Sequence, residues 1–132
     1  MEWIMSTKAK DKMKKLSQIP VLEENASLKK ALDVMSQKRL GIACFVDNTG
    51  KLKGLLTDGD LRRLLLTKQS PLPALLVSDA LTFGNTNPSV AFEEDEIIKL
   101  RDVMNEKQIW DLPIVDSNHK LIGLVHRHDV NQ

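Results

Sequence analysis

A threonine, two aspartates and two arginines fall within one short run of this chain, Thr57-Asp58-Gly59-Asp60-Leu61-Arg62-Arg63. The preceding Gly54-Leu55-Leu56 reads as the end of a buried strand, so the hydroxyl and carboxylates stand where a strand gives way to a helix. Such a corner leaves backbone N–H groups without intrahelical partners and adds the positive end of the helix dipole, which suits phosphate. A carboxylate beside it suits a pair of sugar hydroxyls. The same residue types are ordinary helix N-caps, and on this run alone a cap without a ligand explains them equally well.

A second set of chemistry-bearing residues stands near the end of the chain. His126 and His128, with Asp129 or His119, raise the question of a metal. Two imidazoles on one strand do not close a site, and no Cys or Glu is spaced to complete tetrahedral coordination, so no metal is expected. Nor does any serine, histidine and carboxylate spacing form a catalytic set, and Cys44 lies inside an apolar run where a buried thiol is expected.

Composition narrows the field. At 132 residues the chain can bury a sizeable core as one domain or as two small fused units. Aromatic content of 4% with no tyrosine leaves little to stack on nucleic acid, and a net charge of +1 argues against a polyanion partner. One cysteine rules out a disulfide within the chain and favours the cytoplasm. No apolar run approaches the ~20 residues that span a bilayer, and no signal peptide is expected. Residues 1–15 mix Trp3, Ile4 and Met5 with five lysines and read as a linker or leading helix with a solvated charged face, in preference to a nucleic-acid or membrane patch.

The elements that must position the corner follow in order. Residues 16–22 read as a short extended segment that Pro20 confines to an edge or a strand start. Leu28, Ala31, Leu32 and Met35 lie at helical spacing behind Asn25 or Ser27 as cap. Residues 42–46 and 52–56 form a hairpin across the turn Asp47-Asn48-Thr49-Gly50, and a helix from Asp58 or Asp60 must stop by Ser70-Pro71.

An offset of 69 residues then reproduces much of the first half in the second. Val21 maps to Val90, Asp33-Val34-Met35 to Asp102-Val103-Met104, Val46-Asp47 to Val115-Asp116, Gly54-Leu55 to Gly123-Leu124, and Asp60 to Asp129. The order strand, helix, strand, strand, helix is therefore expected twice. A unit of about 60 residues is too small to bury both faces of its sheet, so two copies packed sheet against sheet are the expected solution. The resulting division is a linker or leading helix at 1–15, a first repeat at 16–69, a Pro71- and Pro73-containing connector at 70–76, and a second repeat at 77–132 whose last helix is truncated.

Motif, repeat and element order together resemble the tandem CBS (cystathionine β-synthase) domain pair, or Bateman module. Gly54-Leu55-Leu56-Thr57-x-x-Asp60 fits the family's glycine, apolar, apolar, Thr/Ser, x, x, Asp pattern, and Leu112-Pro113-Ile114-Val115-Asp116 is similar to its central strand. The resemblance covers nearly everything after Lys15 and implies an α/β (α+β) fold of two pseudo-symmetric β-α-β-β-α CBS repeats packed sheet to sheet. Lys38-Arg39-Leu40-Gly41, the 57–63 run and His126-x-His128-Asp129 further resemble the CBS pair of arabinose 5-phosphate isomerase-type sugar-phosphate isomerases. CBS-containing sugar-nucleotidyltransferases share the TDGD-hydrophobe-RR segment. In both, the catalytic domain is a separate region that this chain is not expected to contain.

The resemblance implies a nucleotide in the cleft between the copies: an adenosine nucleotide (AMP, ADP or ATP) or a CMP-sugar, with no cofactor required. Carried over by residue, Asp60 would accept from the ribose hydroxyls and Thr57 would contact ribose or phosphate, with Asp58 and Gly59 at the same corner. Gly41, Ile42 and Ala43 would flank a base opposite Ile19 and Val21, and Arg62 and Arg63 would offer guanidinium forks to phosphate. In the second copy Asp129 keeps the ribose position, but His126 replaces the threonine, His128 replaces Gly59, and Trp110 and Asp111 replace Gly41 and Ile42. At most one well-formed adenosine-type site, around Asp60, is therefore expected.

The implied function is non-catalytic control of an attached or partner enzyme, with homodimerisation through CBS pairs. The alternative is an empty module for oligomerisation, using the helix stripes Leu61, Leu64, Leu65 and Ile97, Leu100, Met104.

Overall fold

The spacing that predicts the first long helix places Leu28, Ala31 and Met35 on one buried face. Ser27 is its cap, its hydroxyl accepting from Lys30 N–H at 3.1 Å. This and every other element come from a computed structural model that describes residues 7–130. Trp3, Ile4 and Met5 of the expected leading segment, and the two residues after Val130, lie outside the described residues.

In chain order the elements are α1 (Ala9–Lys12), β1 (Lys14–Lys15), β2 (Val21–Glu23), α2 (Leu28–Lys38), β3 (Ile42–Val46), β4 (Leu52–Thr57), α3 (Asp58–Thr67), α4 (Leu72–Leu76), α5 (Ile97–Lys107), β5 (Asp111–Val115), β6 (Leu121–His126) and α6 (Arg127–Val130). Short 3-10 turns occupy Leu16–Gln18 and Ala80–Phe83. The extended segment expected at 16–22 is thus a turn followed by a strand that begins just after Pro20, whose ring cannot donate to a ladder.

The chain divides into two compact units, Ser17–Pro88 and a second that joins Met1–Leu16 to Ser89–Gln132. In the first unit the sheet runs β2-β3-β4, with β2 parallel and β4 antiparallel to β3. Its core packs Leu22, Phe45 and Leu56 of the sheet against Ala31, Met35 and Leu64 of the helices. In the second unit the sheet runs β1-β6-β5, and the counterpart of β2 is reduced to a single parallel bridge between Ala91 and Ile114. Its core gathers Leu100, Met104, Leu112, Ile114 and Val125.

The duplication is visible bond by bond. Ala80 N–H donates to Ala26 O at 2.9 Å, and Ala9 N–H donates to Asp95 O at 2.8 Å. Leu28 N–H meets Ser78 O at 2.9 Å, as Ile97 N–H meets Thr7 O at 2.9 Å. In both hairpins an aspartate holds the turn, Asp47 accepting from Thr49 and Lys51 N–H and Asp116 from Asn118 and Lys120 N–H.

These bonds reveal where each repeat's leading segment goes. Residues 77–88, expected to open the second repeat, pack with Ser17–Pro88, and Asn85 bridges Leu55 of β4. Residues 14–15 pair instead with Leu124 and Gly123 of β6. Each last strand therefore has its outer edge occupied by the segment that leads into the other repeat.

The passage is close, and glycine is what allows it. A Cβ on Gly54 would stand 2.6 Å from Asn85 O and 2.5 Å from Leu81 Cδ1, and one on Gly123 would stand 2.8 Å from Lys14 O. Backbone cannot yield as a flexible side chain can. Gly54→Ala is expected to destabilise the protein by about 1–3 kcal/mol. Gly59→Ala, whose Cβ would meet nothing closer than 3.6 Å, is expected to be neutral or stabilising by up to about 1 kcal/mol. Urea midpoints compare the two, and equal losses would contradict this reading of Gly54.

Candidate functional site

The run that opened the sequence reading forms the corner between β4 and α3. Thr57 is the N-cap, in extended conformation, and its Oγ1 accepts from Asp60 N–H at 3.2 Å. Thr57 N–H in turn donates to Asp60 Oδ2 at 2.9 Å. This reciprocal capping box holds both side chains in one rotamer and satisfies two donors of the helix start. The other carboxylate oxygen, Oδ1, pairs with Arg63 Nη2. Asp60 is thus oriented while its side chain keeps 13% of its surface accessible.

Backbone bonds bring the neighbouring strand to the same point. Asp58 N–H donates to Gly41 O at 3.0 Å, and Ile42 stands opposite Thr57, as Ala43 stands opposite Leu56, in the β3–β4 register. The Asp58 carboxylate occupies the space a side chain on residue 41 would need. Arg62 Nη2 and Arg63 Nη1 lie within 4 Å of the point above Gly59 where a Cβ would stand, so both guanidinium groups gather at the helix N-terminus. Ile19 is buried, and Val21 pairs with Cys44 in β3.

Sequence reasoning overlooked a shallow, open hollow beside this corner. It has a volume of about 370 Å³ and is lined by Leu32, Met35 and Ser36 of α2, by Arg39, and by Gly41 and Asp58. Arg39 ends α2 in the left-handed conformation, φ 56°, which turns the chain toward β3. The Lys38-Arg39-Leu40-Gly41 segment was the available signal. Helical periodicity alone places Leu32 and Met35 in the core and does not reveal the hollow at the helix end.

The second corner keeps the frame and changes the chemistry. His126 N–H donates to Asp129 Oδ2 at 2.9 Å, and Arg127 N–H to Trp110 O at 2.8 Å, matching the bonds of Thr57 and Asp58. The Arg127 guanidinium lies 5.0 Å from the Trp110 ring centroid and donates to Asn105 Oδ1 at 3.0 Å. His126 Nδ1 stands 2.8 Å from Asp111 Oδ1, and Lys14 Nζ lies 3.6 Å from Asp129 Oδ2. Among the described residues no three His, Cys, Asp or Glu side chains converge as metal ligands.

With this geometry in view, comparison with known proteins is decisive. The family model described as "CBS domain" matches residues 9–67 and again 77–132. The chain belongs to the CBS domain family. Among curated relatives, arabinose 5-phosphate isomerase KdsD of Francisella tularensis is 30% identical over 123 residues, covering 93% of this chain and 36% of that protein. The chain spans about a third of the length of the curated relatives it matches. Among solved structures, CBSX2 in complex with AMP superposes with a TM-score of 0.82 at 22% identity, covering 95% of this chain and 93% of that one. The CBS domain pair of protein MJ0100 in complex with 5′-methylthioadenosine and S-adenosyl-L-methionine gives 0.81 at 22% identity over 95% and 93%. The CBS-pair resemblance and the mixed α/β architecture with two three-stranded sheets are thereby established.

The repeat comparison yields a pH-dependent consequence. Burial pushes the Asp111 carboxyl above its ordinary value of 3.8, and the hydrogen bond and charge of His126 offset this only in part. The folded state therefore holds the Asp111 proton more tightly than the unfolded one. Asp111 contributes stability below its unfolded value and loses it as pH rises through the folded one. Relative to wild type, Asp111→Asn is expected to gain stability as pH rises from about 4 toward 7. Urea midpoints across that range provide the check, and a difference independent of pH would contradict it.

Proposed function

We propose that this chain is a non-catalytic regulatory module whose corner at Thr57–Asp60 takes the ribose and phosphate of an adenosine nucleotide or of a nucleotide-activated sugar. Occupancy of that corner controls an attached or partner enzyme of sugar metabolism in the cytoplasm. The observation that carries the reading is the gathering of Arg62 and Arg63 over Gly59, at a helix N-terminus, beside a carboxylate already oriented by its own capping box. Guanidinium forks and backbone N–H groups suit the phosphate, and Asp60 suits the ribose diol. Gly41 lines the adjoining hollow, where Arg39 and Asp58 add polar groups; Ile42, Ala43 and Ile19 are buried, so the base would be flanked by the backbone of these strands, with Val21 on the other side.

Relatives support both halves of this reading. Solved CBS pairs carry AMP, or 5′-methylthioadenosine and S-adenosyl-L-methionine, and curated relatives include arabinose 5-phosphate isomerases. Control of an enzyme requires that the ligand bind two states of the module unequally, typically by about 1–3 kcal/mol.

A second reading, a module for self-association, is favoured by one observation. Leu65 and Leu66 of α3 are 65% and 79% exposed, and Leu72 and Val77 are 54% and 78% exposed. The helix stripes first considered for this role are less suited, since Leu64, Leu100 and Met104 are buried in the two cores. The two readings are compatible as a homodimer that also binds nucleotide.

Calorimetry with AMP, ADP, ATP, S-adenosylmethionine and CMP-sugars tests the proposal. At least one is expected to bind with a dissociation constant from about 1 μM to 1 mM, equivalent to roughly −8 to −4 kcal/mol. Asp60→Asn keeps a capping oxygen and is expected to weaken binding about tenfold or more, because hydrogen bonds to a charged group contribute ~1.5–3 kcal/mol. A wild-type protein silent toward every ligand, with an association state by light scattering indifferent to nucleotide, would leave the second reading alone.

A further inference from the structure

The leading segments of the two units sit on the same backbone frame yet are held in different ways. Ala9 N–H donates to Asp95 O as Ala80 N–H donates to Ala26 O, and the bridge between Lys8 and Glu96 repeats that between Ser27 and Asp79. In the first unit apolar bulk anchors the frame: Leu75 and Ala80 are buried, and Leu81 and Phe83 pack against the same core. In the second unit the anchor is Ala9 with the half-buried Met13, which lies over Gly123. We propose that residues 8–15 are a detachable strap, closed on the second unit by charge, which opens without unfolding that unit and thereby uncovers the outer edge of β6. The proposal does not rest on the nucleotide reading of the Asp60 corner.

What the strap lacks in apolar contact it has in charge. It carries Lys8, Lys10, Lys12, Lys14 and Lys15 against Asp11 alone, and the loop that receives it is Glu93-Glu94-Asp95-Glu96. The counterpart in the first unit, Ser78-Asp79-Ala80-Leu81 on Glu24-Asn25-Ala26-Ser27, contains no cation, so the frame itself does not require these charges. Lys10 Nζ meets Glu94 Oε1 at 2.7 Å, with 46% and 69% of the two side chains accessible. Their hydrogen bond raises the Lys10 ammonium above its ordinary value and lowers the Glu94 carboxyl, so both stay charged across the physiological range. Pairs this exposed contribute little singly and are screened by salt. Several of them together decide the balance only for an element with few other contacts, which is the situation of the strap.

Opening has a defined consequence. β1 meets β6 through Lys14 opposite Leu124 and Lys15 opposite Gly123, and Lys14 Nζ lies 3.6 Å from Asp129 Oδ2. That same carboxylate oxygen accepts from His126 N–H. Detachment therefore frees a strand edge and withdraws a cation from the aspartate that holds the second corner. The strap is a device through which ionic strength reaches that corner.

Amide hydrogen exchange of the whole chain, read by nitrogen-15 NMR, tests this. Ala9 and Lys10 N–H, which donate to Asp95 O and Glu93 O, and Ile97 N–H, which donates to Thr7 O, report on the strap. Val115 N–H, which donates to Ala91 O at 2.9 Å, reports on the unit beneath it. The three strap amides are expected to exchange about tenfold or more faster than Val115 at about 0.05 M NaCl, and about threefold or more faster again at about 0.5 M, while Val115 keeps its rate. Lys10→Glu and Glu94→Lys are each expected to speed the strap amides, and the double variant to exchange more slowly than either single one. Strap amides that exchange no faster than Val115 would overturn the strap. Rates indifferent to salt, or a double variant no slower than the single ones, would overturn its closure by charge.

Discussion

The reciprocal bonds between Thr57 and Asp60 are the constraint on which the first corner depends. A helix beginning directly at a strand end leaves donors without partners, and the capping box answers two of them with side chains from the chain's own turn. The same bonds orient a carboxylate, and the Asp58 N–H bond to Gly41 O ties the corner to the neighbouring strand. A cap and a binding corner are therefore not competing descriptions of these residues. The second corner repeats the frame with His126, Arg127 and Asp129, and so shows which part is architecture and which part is chemistry.

A second constraint is the outer edge of each hairpin. An open strand edge invites pairing, and here β4 meets Asn85 while β6 meets Lys14 and Lys15. Gly54 and Gly123 lie where those segments pass, which gives the glycine of the motif a structural cause independent of any ligand. Both edges are covered from the segment leading into the opposite repeat.

Much of this was legible in the sequence, for physical reasons. The spacing of Leu28, Ala31 and Met35 and the apolar runs around Asp47-Asn48-Thr49-Gly50 are local signals, and the elements they predict are present as α2, β3 and β4. The 69-residue offset holds through those elements. It changes to 71 in the leading segments, where Ala80 corresponds to Ala9, so the exchange of edges was invisible to a fixed offset. A two-residue strand such as β1 carries no periodicity, and its pairing with β6 depends on residues more than a hundred positions away. The stack of Arg127 on Trp110 is likewise a contact through space. Leu64, Leu100 and Met104 followed helical spacing correctly, but the stripe they form faces a core rather than a partner. Thr57 and Asp60 were read both as cap and as ligand residues, and the capping role is the one their hydrogen bonds display.

The central claim, that the Asp60 corner grips a ribose, is tested most directly by amide chemical shifts during titration with AMP and with a CMP-sugar. Saturable shifts centred on Gly41, Thr57, Gly59 and Asp60 are the result the account requires. Saturable binding that leaves those four amides unmoved would contradict it.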